Sequence, residues 1–191
     1  CDWSSDVCSS DLGGALPSSG GIVLAFEKHM NKILEIDMQN MVAIVQPGVV
    51  NMELQRAVEE VGLFYPPDPA SQEYSTIGGN VNENAGGMRA AKYGITKDYV
   101  MAMRAVLPNG DIIKAGKKTI KDVAGYNLRD LFIGSEGTLG IVTKVLLMAR
   151  CGSGSEPSPI KAHTARTVRR GSGRVAGSAA CRRDRRRSGW R

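Results

Sequence analysis

The residues best suited to chemistry lie in one run, Ser75-Thr76-Ile77-Gly78-Gly79-Asn80-Val81-Asn82-Glu83-Asn84-Ala85-Gly86-Gly87. Glycine pairs let backbone approach a bulky partner and take up positive φ where a turn needs it. Asparagine offers a donor and an acceptor in one side chain. Thr76 precedes Gly78 and Gly79, and Asn80–Asn84 can start a short helix whose N-terminal amides would face a phosphate. Consecutive exposed N–H groups make an anion nest of the kind that suits a pyrophosphate. On this reading the backbone of Ile77, Gly78, Gly79 and Asn80 meets the anion. Asn84, Gly86 and Gly87 leave room for a flat ring system. The composition fits a plain glycine-rich surface loop equally well, so by itself it leaves both readings open.

The flanking elements must position that run. Upstream, Ile22–Phe26, Leu34–Asp37 and Met41–Gln46 read as short strands, the last ending at Pro47-Gly48. Asn51 is placed to cap a helix in which Leu54, Ala57, Val58 and Val61 form the buried stripe and Gly62 the stop. Glu53, Gln55, Arg56, Glu59 and Glu60 then cover its outer faces. Three prolines stiffen Pro66-Pro67-Asp68-Pro69. Downstream, Tyr99–Leu107 and Asp111–Lys114 form a hairpin across Pro108-Asn109-Gly110, since Asn-Gly is a strong turn signal. In the first of these strands Met101, Met103, Ala105 and Leu107 share one apolar face, with the methionines as core filler. A short helix within Tyr126–Phe132, with Leu128, Leu131 and Phe132 inward, and a last strand over Ile141–Met148 complete the pattern. Short strands interleaved with short helices predict an α+β domain with a mixed or antiparallel sheet flanked by helices.

Several motifs occur in order: Thr76–Gly87, Tyr93-Gly94, Asp98-Tyr99-Val100, Lys121–Leu128 and Leu131–Ile141. Together they resemble the PCMH-type FAD-binding domain of the FAD-linked oxidases, the superfamily of vanillyl-alcohol oxidase and p-cresol methylhydroxylase. Within it the likeness is to the branch holding the glycolate oxidase flavin subunit and D-lactate dehydrogenases, and it runs from about Gly13 to Met148. The resemblance implies FAD as cofactor. It places Pro67, Asp68, Pro69 and Ser71 along the flavin, though a rigid surface turn is the plain alternative for that loop. It runs Tyr93, Gly94 and Asp98 beside the isoalloxazine ring, and Gly137, Gly140 and Ile141 along the cofactor. Some relatives attach flavin covalently through His or Cys, and neither occurs between residues 30 and 150, so noncovalent FAD is expected. Glu136, inside a turn motif, suits a structural role better than that of a general acid.

The family implies oxidation of a small 2-hydroxyacid, such as glycolate or D-lactate, with electrons leaving to another subunit or a quinone. Its substrate-binding groups come largely from a cap domain expected to be missing here, so no catalytic residue is assigned. Its first glycine-rich phosphate loop and small N-terminal subdomain are also expected to be missing, so the domain is expected to be truncated. The fragment alone is expected to be inactive, and a cofactor-free interaction module is the alternative. A same-fold reductase of cell-wall precursor synthesis fits the Val123–Gly140 run less well. A nicotinamide domain is not expected, because the central run lacks the GxGxxG pattern.

The ends differ from the middle. Residues 1–149 carry 13 Lys+Arg against 17 Asp+Glu, whereas residues 150–191 carry 12 against 2. The overall charge of +6 therefore belongs to the tail and is no nucleic-acid signature of the domain. All four cysteines and both tryptophans fall outside residues 12–149. Residues 1–11 are expected to be a non-native scar, residues 12–149 the FAD-binding domain, and residues 150–191 a disordered basic tail of frameshift origin. His29 lies at a polar turn with no expected catalytic role. No metal site, transmembrane span or signal peptide is expected, and the default location is cytoplasmic, with peripheral inner-membrane contact through partner subunits.

Overall fold

The computed structural model describes residues 22, 24–121, 123 and 125–152. The expected scar lies outside them, as does nearly all of the expected tail. The described residues up to Arg150 form one compact unit, built on a five-stranded sheet. Its strands are β1 (Ile33–Asp37), β2 (Val42–Val45), β4 (Val100–Val106), β5 (Ile112–Gly116) and β6 (Ile141–Met148), in the spatial order β1-β2-β6-β4-β5. Every pairing in it is antiparallel. The last of these five strands in sequence, β6, thus lies at the centre and joins the two hairpins.

The β4–β5 hairpin turns where Asn109-Gly110 stands. Gly110 has a φ of +88° and donates to Leu107 O at 2.9 Å, and Asn109 Oδ1 accepts from Asp111 N at 3.1 Å. Met101, Met103 and Ala105 are buried, whereas Arg104 on the other face is exposed, as the period of two requires. The described residues of the expected strand Ile22–Phe26 are not in a strand. The Phe26 carbonyl accepts from both His29 N and Met30 N, which closes a 3-10 turn over Phe26–Lys28.

Helix α1 (Asn51–Glu60) follows β2 directly. Gly62, with a φ of +79°, ends it by donating to Glu59 O. Leu54 and Val58 are fully buried, but Ala57 and Val61 are only half-buried. The inward face is completed by Asn51 and Gln55 instead. Asn51 is the first helical residue and not the cap, because Val50 holds the extended cap position. A two-residue strand, β3 (Leu63–Phe64), leads into the proline loop, and the seven-residue helix α2 (Ile77–Glu83) lies beyond it. Two further short helices are α3 (Ala90–Tyr93) and α4 (Leu128–Phe132). Leu128 and Leu131 of α4 are exposed, contrary to the sequence reading, and only Phe132 turns inward. The Asn127 side chain caps α4 by accepting from Asp130 N.

The core lies between the sheet and the helices. Val45, Val100, Val142, Val145 and Leu147 of the sheet pack with Leu54, Val58, Ile77 and Val81 of α1 and α2, together with Tyr65 and Tyr99. The Tyr65 and Tyr99 rings meet edge to face, with centroids 5.8 Å apart. At the rim, the Lys118 ammonium lies 2.7 Å from Asp37 Oδ2, and Asn40 donates to Asp37 from its side chain and backbone. Lys118 first and Asn40 second hold the Asp37 carboxyl well below the usual carboxylate range.

Leu54→Ala removes a buried side chain at the α1–sheet contact and should cost about 2–5 kcal/mol, read as a lower urea midpoint. A lowered carboxyl pKa stabilises the fold above the ordinary Asp value of about 3.9, and that contribution fades as pH falls towards the depressed value. Titration of Asp37 by carboxyl NMR should therefore give a midpoint below the ordinary value. Lys118→Ala should move it upward.

Candidate cofactor site

Helix α2 begins with a hydroxyl cap. Thr76 is extended (φ −89°, ψ 156°), and its Oγ1 accepts from Gly79 N at 3.2 Å. The Asn80 amide donates to Thr76 O at 2.9 Å, Ile77 N to Val49 O at 2.8 Å, and Gly78 N to Pro47 O at 2.8 Å. The amides of Ile77, Gly78, Gly79 and Asn80 are thus all engaged inside the protein and leave no free nest. The sequence reading of an anion over these four N–H groups is corrected here. The cause is the way α2 seats its N-terminus on the turn after β2. Gly78 is needed for that seat, since a Cβ there would lie 2.7 Å from Pro47 Cβ.

Three carboxamides tie α1, α2 and the proline loop together. Asn51 Nδ2 donates to Pro67 O at 3.2 Å, and Gln55 Nε2 donates to the same oxygen at 2.8 Å and to Tyr65 O at 3.3 Å. Asn80 Nδ2 donates to Asn51 Oδ1 at 3.0 Å. All three residues are buried. Sequence reasoning missed Asn51 as a bridge and placed Gln55 outside. The available signal was two carboxamides four residues apart, in phase with Leu54 and Val58 on the buried stripe.

The C-terminal end of α2 opens towards solvent. Asn84 is left-handed (φ 55°, ψ 48°), and its Oδ1 accepts from Lys97 N at 3.0 Å. Gly86 and Gly87 follow with little side-chain bulk. Gly87 lies directly against Asp68, whose backbone carbonyl occupies the space a Cβ would take. Asp68 Oδ1 accepts from Arg89 N at 3.0 Å, and Oδ2 lies 3.5 Å from Arg89 Nε. The Arg89 guanidinium also covers the Phe64 ring at 5.4 Å, and Phe64 meets Tyr93 edge to face at 5.6 Å.

A second loop clips to the same helix. Gly134 N donates to Val81 O at 3.0 Å and Glu136 N to Asn82 O at 2.9 Å. Glu136 and Gly137 both take positive φ, 53° and 72°, which turns the chain over the end of α2. The structure therefore gathers Pro67, Asp68, Asn80, Asn84, Gly86, Gly87 and Gly137 around α2. Ser71 lies in the turn leading to it, where its carbonyl accepts from Tyr74 N and Ser75 N. Gly94 and Asp98 form a local turn instead: Asp98 Oδ2 accepts from Ile95 N at 2.8 Å, and Gly94, at a φ of +91°, leaves room for that carboxylate. Tyr93 is tied in through its carbonyl, which accepts from Tyr99 Oη at 2.6 Å. Gly140 and Ile141 serve the sheet. Gly140 packs on Val106 O, and Ile141 pairs with Val106.

Charge is balanced around this cluster. Burial pushes the Asp130 carboxyl up, but Arg129 at 2.7 Å and Lys97 at 3.4 Å outweigh it and hold Asp130 below its ordinary value. Burial, helped by the neighbouring Tyr99, pushes the Tyr65 phenol far up, so it stays protonated. Its hydroxyl, Ser75 Oγ and Ser135 Oγ are buried without a hydrogen-bond partner among the described residues. Among those residues, no group of three or more His, Cys, Asp or Glu could hold a metal ion.

A cradle of small residues and backbone groups with an unmet hydroxyl at its rim suits a large, flat, oxygen-rich cofactor. That hydroxyl is Ser135, in the loop clipped to α2 by Gly134 and Glu136. The sequence matches the FAD binding domain family over residues 8–116. The chain belongs to this family, and FAD is its cofactor. Similar proteins include glycolate oxidase subunit GlcD of Bacillus subtilis (strain 168), 62% identical over 71% of this chain and 28% of that protein. D-lactate dehydrogenase of Anaerostipes hadrus is 52% identical over 71% of this chain and 28% of its own length. D-2-hydroxyglutarate dehydrogenase of Stutzerimonas stutzeri (strain A1501) is 44% identical over 70% and 28%. The FAD-binding chain thus spans just over a quarter of the length of these relatives. A solved structure of alkyldihydroxyacetonephosphate synthase superposes with a TM-score of 0.63 and 31% identity, covering 73% of this chain and 27% of that one.

Gly87→Ala would drive a methyl group into the Asp68 backbone. It should cost about 1–3 kcal/mol in urea unfolding, because the proline loop must shift to make room.

Proposed function

We propose that this chain is the FAD-holding part of a flavin-dependent 2-hydroxyacid oxidoreductase. The observation that carries the reading is the convergence of the Pro66–Asp68 loop, the Asn84–Gly87 turn and the Gly134–Gly137 loop on one helix. Pro67, Asp68, Ser71, Asn84, Gly86, Gly87 and Gly137 would hold the cofactor, mainly through backbone groups and close approach. Tyr93, Gly94 and Asp98 would lie beside its ring portion, and Gly140 and Ile141 along its outer edge. Ile77, Gly78, Gly79 and Asn80 contribute by seating α2 and tying it to α1. When bound, FAD supplies the hydride acceptor for the α-hydrogen of the substrate. This chain's own residues bind and orient it, and the buried hydroxyl of Ser135 would donate to a cofactor oxygen.

The substrate class follows from the relatives, whose names specify glycolate, D-lactate and D-2-hydroxyglutarate, all 2-hydroxy acids. The electron acceptor would be a partner subunit or a quinone, in keeping with the subunit designation of the Bacillus protein. Among the described residues, no helix is long and apolar enough to cross a membrane. We place the protein in the cytoplasm, with any contact to the inner membrane made through partners. Turnover would also need groups from the parts of the relatives that this chain does not span.

Protein purified with added FAD should be yellow and hold about one flavin per chain. Acid should release that flavin intact, because no His or Cys stands between residues 30 and 150 to anchor it. Colourless protein after saturation with FAD would overturn the reading. Glycolate and D-lactate should not bleach the flavin of the chain alone, and bleaching would place the whole reaction within these residues.

A further inference from the structure

Helix α1 buries two carboxamides where a scaffold helix would gain more from aliphatic side chains. Leu54 and Val58 on the same face need no partner, whereas Asn51 and Gln55 must replace every hydrogen bond they lose to water. Gln55 donates to Tyr65 O, and both donate to one acceptor, the carbonyl of Pro67. That oxygen and the Asp68 amide belong to one rigid peptide plane. Proline fixes φ at residues 66, 67 and 69, so the tilt of this plane is one of the few freedoms left to the loop. Two hydrogen bonds on its oxygen remove that freedom. The next residue, Asp68, packs its carbonyl on Gly87 and binds the Arg89 amide. Asn51 also accepts from Asn80 in the middle of α2.

We propose that Asn51 and Gln55 are positioning residues for the cofactor cradle. They lock the Pro66–Asp68 loop, α2 and the Gly86–Arg89 turn into one geometry before FAD arrives. Neither side chain need touch the cofactor. The inference rests on the FAD reading above, and its test separates the two.

Gln55→Met and Asn51→Leu keep bulk and remove the hydrogen bonds to Pro67. Val42→Ala serves as the control, since Val42 is buried in β2 but lies outside the core cluster that α1, α2 and Tyr65 share. Two quantities are measured on each chain: exchange of the Arg89 amide hydrogen relative to the β4 amides, and the dissociation constant for added FAD. Each loop variant should raise relative Arg89 exchange about tenfold or more, through local opening of the turn that Asp68 holds. Each should weaken FAD binding by a similar factor. Val42→Ala should lower the urea midpoint but leave the exchange ratio and the FAD constant within about twofold, as expected of a site that shares no partner with the loop. Unchanged Arg89 exchange in both loop variants would overturn the proposal, and so would equal weakening of FAD binding by Val42→Ala. Should the unaltered chain bind no FAD while Arg89 exchange responds as expected, the cofactor reading fails and the locking of the loop stands.

Discussion

The carbonyl oxygen of Pro67 is the point on which the cradle depends. It lies in the interior and receives two side-chain donors from α1. A buried carbonyl left without a donor would cost about 1–3 kcal/mol, and the two carboxamides would then be stranded as well. The three groups are mutually obligatory, which makes the loop a fixed wall rather than a mobile connector. Asn80 extends the same network into α2, so the helix and the loop cannot move independently.

Close backbone approach completes what the hydrogen bonds begin. Gly78 lets α2 rest on Pro47, and Gly87 lets the turn after α2 rest on Asp68. In each case the missing side chain makes room for another part of the same chain. The glycine-rich run therefore works first as a packing device, with its N-terminal amides already used, and its exposed C-terminal end is what remains open to a ligand. A seven-residue helix would be marginal by itself. It persists here because it is buried on its Ile77 and Val81 face and clipped at its far end by Gly134 and Glu136.

Charge governs the outer side of the cluster. Asp130 stays ionised although partly buried, because Arg129 and Lys97 face it from two different elements. Lys97 also donates its backbone amide to Asn84, so one residue joins the 3-10 turn Thr96–Asp98 to both α2 and α4. Arg89 stands between the Asp68 carboxylate and the Phe64 ring. Such contacts contribute little each in water, but they restrict the loops that border the cradle.

Much of this was legible in the sequence. The alternation in β4 and the Asn-Gly turn specified the central hairpin, because side-chain direction and turn geometry are local properties. The ordered motifs from Thr76 to Ile141 specified the family, its cofactor and most of the segments that meet at α2. Three readings changed in the folded chain. Ile22–Phe26 reads as a strand, yet the Phe26 carbonyl accepts from His29 and Met30, three and four residues on, in a local turn that the apolar run masked. Leu128 and Leu131 read as core, yet both are exposed and of the three only Phe132 is buried. Asn51 and Gln55 read as a cap and a surface residue, yet both are buried. That last outcome only the tertiary structure decided, since for Gln55 the acceptor, Pro67 O, lies 12 residues further along the chain. Periodicity records which face of an element is apolar; it cannot record which distant carbonyl will need a donor.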